Sequence, residues 1–369
     1  MITFQYYDKL KSVSNADWLR LFAGHPDSAE LISFMETRGL EGFQFGSVVA
    51  SLDGQPILLA PLWFTNYSIA TTLDGAPRSI LQKLEKFFPA LRPNVLGVGF
   101  VEGEWGSFGL SQTLDYKTKN EAITGALSLI REVALARKMN VLAYKDFTSS
   151  SVNQLPDEAT SGFTCAESMP FSQLNINFDT VDEYLTSRPR HLRQDLRRKV
   201  RQASNVEVVL TDDPSEHIDS IYIMYQELVS RTDLSFGLQR KSFFLDIGQN
   251  VPGAKFFLFF LDGKLIGFNL FIDRKDLLVD KYIGMSTPDG RDNNIYFIAW
   301  LEKIKYCTEH KIKTIHLGAA AEGIKSRLGA TTTRCYTYYH HVNPVSNAIL
   351  NKIKHFVEYK PDMSVALIG

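Results

Sequence analysis

Apolar positions along this chain switch between a helical and a strand-like period, and the switching predicts an α/β protein. Trp18, Leu19, Leu21 and Phe22, then Leu31, Ile32, Phe34 and Met35, stand at helical spacing before Gly39, so residues 1–40 are read as helix. The period then shortens. Phe43–Leu52 and Pro56–Phe64 are apolar runs joined by Asp53-Gly54, a dipeptide that tolerates the positive φ of a tight turn, and they predict a two-stranded ribbon. Between about residues 65 and 117 no period dominates, although Asn94–Val101 reads as strand. Glu121–Lys138 aligns Ile123, Ala126, Leu127, Ile130, Val133 and Ala134 on one helical face, and Asn140–Tyr144 reads as the strand after it. Pro156–Gly162 is a loop or a helix end.

The same order returns in the second half. Lys255–Leu261 and Lys264–Ile272 flank Asp262-Gly263, and Leu277–Gly284 is a third strand. A helix over Ile295–His310 carries Phe297, Ile298, Leu301 and Ile304 on its apolar face, before a strand at Thr314–Leu317. Leu52-Asp53-Gly54 matches Leu261-Asp262-Gly263, and Arg137–Leu142 matches His310–Ile315 at the helix-to-strand junction, which predicts a divergent internal duplication. The hairpin glycine lies farther from that junction in the first half (Gly54 to Val141) than in the second (Gly263 to Thr314), so an insertion is expected near residues 65–117. Tyr336–His341 alternates as a strand does, with Tyr338 or His340 as candidates to line a cleft.

Between the halves lies Arg188–Arg201, read as an amphipathic helix whose buried stripe is Leu192, Leu196 and Val200, with Pro189 in the first turn. Seven arginines and lysines face one acid, Asp195. Guanidinium groups pair bidentately with phosphate, so the helix is a candidate grip for a phosphorylated substrate or a tRNA acceptor stem. The alternative is a solvated linking helix paired with Asp212, Asp213 and Glu216. Just upstream, Thr180 is placed to cap a short helix through Asp182–Leu185.

A chain of 369 residues exceeds the size of one ordinary core, so two domains are expected, 1–170 and 171–369, the second including the basic helix at 188–203. A net charge of −1 supplies no whole-molecule attraction to nucleic acid, and no DNA partner is expected. Cys165, Cys307 and Cys335 are too few and too scattered for a disulfide framework or a metal site, which fits a reducing, cytoplasmic location. Met1–Asp8 lacks a secretory pattern, and the longest apolar block, Phe256–Leu261, is too short to span a bilayer.

The order from Ser172 onward is a strand, Tyr184-Leu185, the arginine-rich helix, a hairpin, a strand, a helix, a strand, then Gly318–Gly329 with Lys325. It resembles the FemABX-like and CelD-like branch of the GNAT superfamily over residues 170–340, and more weakly over 40–165. The resemblance implies an α/β (α+β) fold of two GNAT-like domains, each a central mixed sheet flanked by helices, the first degenerate and a candidate acceptor-binding half. It also implies an N-acyltransferase. An acyl or aminoacyl group would pass from acyl-CoA or aminoacyl-tRNA, as co-substrate rather than tightly bound cofactor, to the amine of a small molecule or peptide. The sequence departs from the family of acetyl-CoA users where a Gln/Arg-x-x-Gly-x-Gly/Ala loop is expected, because Gly284–Asn294 lacks that pattern. Gly290 and Arg291 are a looser candidate anion site there.

Acyl transfer to an amine needs a deprotonated amine, a stabilised oxyanion and a proton for the leaving group, but no covalent nucleophile. Lys325 is the candidate cation for an oxyanion or phosphate, a role the resemblance assigns to a lysine in the matching segment; the alternative is a solvated helix lysine. His316 is a candidate base or else a hydrogen-bonded core residue, with Glu322 as the other base. Tyr282 is a candidate proton donor or a packing aromatic, and Arg188, Arg193, Arg197 and Arg291 are candidate substrate-binding cations. A non-catalytic GNAT-fold protein that binds a ligand or RNA accounts for the same pattern.

Overall fold

A computed structural model describes residues 1–10, 14–68, 83, 85, 92–101, 103, 106, 108–153, 155–231 and 237–359. Its contacts separate two units, the first built mainly from Met1–Pro170 and Thr333–Pro361 and the second from Phe171–Thr232 and Gln239–Thr332. Residues 333–361 thus group with the first unit, whereas the sequence alone places everything after residue 171 in the second.

The first unit opens with β1 (Ile2–Tyr7), which pairs antiparallel with β2 from Ile2↔Leu52 to Tyr7↔Ser47. Reading residues 1–40 as helix is therefore corrected: Ile-Thr-Phe-Gln-Tyr-Tyr has strand-forming residues and no helical stripe. The helices that do form are α1 (Asn15–Leu21) and α2 (Ala29–Phe34), each started by a serine side chain, Ser14 or Ser28, that accepts a first-turn N–H. Next come β2 (Phe43–Leu52) and β3 (Gln55–Asn66), whose turn holds Asp53 at φ 50° and Gly54 at φ 82°. They are followed by β4 (Asn94–Val98) and the short β5 (Gly109–Leu110). Much of the region expected to be an insertion lies outside the described residues. Asp115 caps α3 (Tyr116–Ala136), which buries the anticipated apolar stripe, and β6 (Val141–Thr148) then runs parallel to β4. The short α4 (Ser149–Val152) and α5 (Asp157–Thr160) lead into β7 (Thr164–Asn175), whose second half belongs to the second unit.

The second unit begins with α6 (Val181–Thr186), capped by Thr180, and α7 (Arg190–Gln202). It continues through β8 (Val206–Thr211), α8 (Ile218–Arg231), α9 (Lys241–Asn250), β9 (Ala254–Leu261) and β10 (Lys264–Asp273). The last elements are β11 (Leu277–Met285), α10 (Asp289–Asp292), α11 (Ile295–Glu309), β12 (Thr314–His316) and α12 (Glu322–Arg327). Its strands are ordered β8-β9-β10-β11-β12-β7, antiparallel except for β11 beside β12. Phe257, Phe259 and Phe271 meet α11 on one face of the sheet, and Phe268 meets Phe244 of α9 on the other. The chain then returns to the first unit as β13 (Thr331–His341), antiparallel to β6, and α13 (Pro344–Val357).

Setting aside the short β5 and α10, both units contain the order strand, two helices, three strands, helix, strand, with β4 beside β6 and β11 beside β12 as corresponding parallel pairs. The expected tandem α/β architecture of mixed sheets flanked by helices is what the chain forms.

Candidate active site

Strands β11 and β12 pair through Leu277↔Thr314, Leu278↔Ile315 and Val279↔His316, and no further. Beyond that point Leu317 donates its N–H to Ser172 O and Ser172 donates to Gly318 O, so the chain leaving β12 stays with β7. Strand β11 runs on through Asp280–Met285 with β10 on its other edge, leaving a fork on the β12 side among the described residues. A bulge sits at this point. The register passes from Phe271↔Asp280 to Leu270↔Tyr282, so Lys281 is an extra residue, and such insertions bend a strand and increase its twist.

Lys325 lies below the turn that closes β12. It is 6% exposed, and its Nζ donates to Leu317 O at 2.6 Å and Gly318 O at 3.0 Å. A buried ammonium that ties down two carbonyls is not a solvated surface lysine. His316, the last paired residue of β12, is 1% exposed with its ring 5.0 Å from Phe171. Glu322 opens α12, half-buried, one helical turn before Lys325. His316 thus ends the paired stretch where the fork opens, and Lys325 holds the turn just after it. Tyr282 lies on the open stretch of β11 but turns toward α8 and α9: Gln239 Nε2 donates to its hydroxyl at 3.2 Å, and the Tyr225 and Phe244 rings are 5.4 and 5.5 Å away.

Of the arginines, Arg188 reaches this segment. Its Nη1 donates to Leu328 O at 3.3 Å, and its guanidinium lies 5.2 Å from the centre of the Tyr184 ring. The Tyr184 hydroxyl donates to the same carbonyl at 2.8 Å and accepts from Trp300 Nε1 at 2.9 Å, while burial pushes its pKa up to about 12. Arg193 and Arg197 instead hold α6, through Thr186 O at 3.3 Å and Asp182 at 2.6 Å. None of Asp212, Asp213 and Glu216 pairs with the basic helix among the described residues. Asp213 accepts the Ser215 N–H, which lowers its pKa. The buried stripe of α7 is Leu192, Leu196 and Lys199, not Val200, because a 3.6-residue period returns to the same face at i+4 and i+7. Lys199 Nζ lies 4.3 Å from the Phe297 ring centre, and Val200 is 41% exposed.

Arg291 is exposed on α10. The neighbouring Gly290 donates its N–H to Ser286 O at 3.0 Å, and a Cβ on it would come within 2.5 Å of Ile266 O. That glycine serves packing against β10, and its N–H is already taken.

A model of FemAB-like proteins, described as peptidoglycan biosynthesis and recognition, matches residues 111–365, more than half of the chain. This protein belongs to the FemAB-like family. No curated protein matches the sequence. Among solved structures, FemX is similar at a TM-score of 0.61 and 14% identity, over 94% of this chain and 100% of its own. A tandem GNAT protein from the clavulanic acid biosynthesis pathway is similar at 0.53 and 12%, over 93% and 99%. The C-terminal domain of a putative lysylphosphatidylglycerol synthetase from Agrobacterium fabrum is similar at 0.53 and 10%, over 92% and 96%. At these identities the likeness is one of fold, and it is the tandem GNAT fold.

This FemAB-like chain carries one polar cluster beside the fork that its sequence did not single out. Asp280, the first β11 residue past the parallel pairing, forms an ion pair with Lys303 of α11, both largely buried. Asn269 Nδ2 bridges Asp280 Oδ1 at 2.7 Å and Tyr282 O at 3.0 Å. Because Lys281 is bulged out, Asp280 and Tyr282 face opposite sides of the sheet although two apart in sequence. The signal was present: Asp280 interrupts an apolar strand, and Lys303 stands beside Ile304 on the apolar helix face. Among the described residues no group of ligating side chains is arranged to hold a metal ion, and no helix is long and apolar enough to cross a membrane.

Proposed function

We propose that this protein is an acyltransferase that passes an acyl or aminoacyl group from a thioester or an aminoacyl-tRNA to the amine of a small-molecule or peptide acceptor. The observation that carries the reading is the fork between β11 and β12, which opens after His316, with Lys325 holding the turn that follows and Glu322 one helical turn before Lys325. Backbone N–H groups on an open strand edge are fixed donors for a carbonyl threaded against them, and they strengthen as that oxygen becomes an oxyanion. The acceptor nitrogen attacks the carbonyl carbon, the C–N bond forms, and the C–S or C–O bond to the donor breaks. Glu322, half-buried, takes the proton from the amine and returns one to the leaving sulfur or ribose oxygen, while the more deeply buried His316 packs the base of the fork. Lys325 holds the Leu317-Gly318 turn and adds positive charge under the developing oxyanion.

Arg188 and Arg291 hold the anionic part of a substrate, and Arg193 and Arg197 keep α7 in place against α6. The packed role of Gly290 favours aminoacyl-tRNA over coenzyme A as donor, since a pyrophosphate needs close backbone approach. The family description favours a peptidoglycan-precursor peptide as acceptor. Three cysteines in no disulfide fit a cytoplasmic site of action. Lys325→Met, checked for folding by circular dichroism, is expected to cut transfer from charged tRNA to a peptide amine at least about 100-fold. Full activity in that variant would remove the fork from the mechanism. A binding protein without turnover is the second reading, favoured by the commitment of Lys325 to two carbonyls and the burial of His316; it requires donor binding with no product.

A further inference from the structure

Helices α6, α7 and α11 enclose a groove of about 480 Å³ whose floor is apolar, made by Val181, Leu185, Val200, Ile298 and Leu301. Val200 is the residue whose burial the helical pattern had anticipated, and its 41% exposure opens into this groove. The rim is cationic. Arg197, Arg201 and Lys305 line it against one acid, Glu302. Burial pushes the Glu302 carboxyl up, with Lys305 opposing and Glu309 adding to the shift, so its negative charge is disfavoured where it stands. Arg201 makes no ion pair among the described residues.

An occupant must offer apolar length to the floor and negative charge to the rim. RNA offers phosphates to the rim but no apolar length to the floor, and the aromatic faces on which single-stranded bases stack are absent among the described residues that line this groove. An anionic lipid meets both demands, because basic side chains near a membrane draw acidic headgroups while apolar ones reach the acyl layer. We propose that this groove seats an acyl chain of an anionic phospholipid at a membrane surface, with the lipid phosphate held by Arg201 and Lys305. The proposal stands independently of acyl transfer.

The test is co-sedimentation of the full chain with phosphatidylcholine vesicles, with and without phosphatidylglycerol, for the native protein and for Val200→Asp and Arg201→Glu. Both positions lie on the surface of α7, and equal melting temperatures would verify their folding. The native protein is expected to bind the phosphatidylglycerol vesicles, and each variant to bind them about 10-fold or more weakly. Absence of native binding to the anionic vesicles overturns the proposal. So does loss of binding in Arg201→Glu but not in Val200→Asp, which would mean surface adsorption without an inserted chain. Tight tRNA binding that Arg201→Glu alone abolishes, with no vesicle binding, would assign the rim to RNA instead.

Discussion

Replacing Lys303 by methionine would leave the Asp280 carboxylate, 12% exposed, with Asn269 as its remaining close partner. Removing one member of a buried ion pair costs about 3–5 kcal/mol, because the abandoned charge has lost its solvation without compensation. At roughly 2–4 °C per kcal/mol for a unit of this size, the melting temperature of the second unit should fall by about 6–20 °C. Asp280→Asn with Lys303→Met removes both charges and keeps an acceptor for Asn269. That double variant should recover at least about 2 kcal/mol of the loss, and the coupling energy of the cycle is that recovery plus the cost of Asp280→Asn alone. Urea unfolding followed by far-ultraviolet circular dichroism gives all four free energies. A cost below about 1 kcal/mol for Lys303→Met, or a double variant no better than the single, would refute the reasoning. Water would then be reaching Asp280 through the fork.

Three further outcomes are expected. Tyr184→Phe strands the buried Trp300 N–H while Leu328 O keeps Arg188, so it should destabilise by about 2 kcal/mol in urea unfolding and loosen α12; no change would mean the indole finds another acceptor. Gly97→Ala would push a Cβ to 1.9 Å from the buried Trp63 ring and should cost about 3 kcal/mol or more, whereas Gly125→Ala meets Phe4 at 2.1 Å, a ring exposed enough to swing aside, and should cost under about 1 kcal/mol by the same assay. Burial, then the neighbouring His340, lowers the His341 pKa below its ordinary 6.5, so the folded form binds fewer protons than the unfolded chain in that range. Stability of the first unit should therefore fall as pH drops below 6.5, and His341→Gln should flatten that dependence in melting curves; an unchanged slope would exclude His341 as its source.

The hairpins at Asp53-Gly54 and Asp262-Gly263 were legible because two residues alone decide the turn, and α3 and α11 because their stripes are long. Strands β1 and β8 were missed: each is a short edge strand with little buried, so no apolar alternation marks it. Membership of β13 in the first unit depends on pairing with β6 far away in sequence, which local pattern does not encode. At the site, Lys325 and His316 were within reach because they flank one turn. The direction of Tyr282 was not, since a single bulged residue, Lys281, reverses which face it takes. The exchange of Val200 for Lys199 has the same character: a spacing of four drifts off the helix face that a spacing of seven regains.

The return of β13 to the first unit gives synthesis a definite timetable. Until Thr333–His341 has left the ribosome, the β6 edge that will receive it stands bare, although β1 to β6 have long since emerged. A fragment stopped at residue 170 would carry that bare edge permanently, and its backbone donors and acceptors would invite pairing with other chains. Expression of the amino-terminal portion should therefore yield aggregates unless the closing segment is supplied with it.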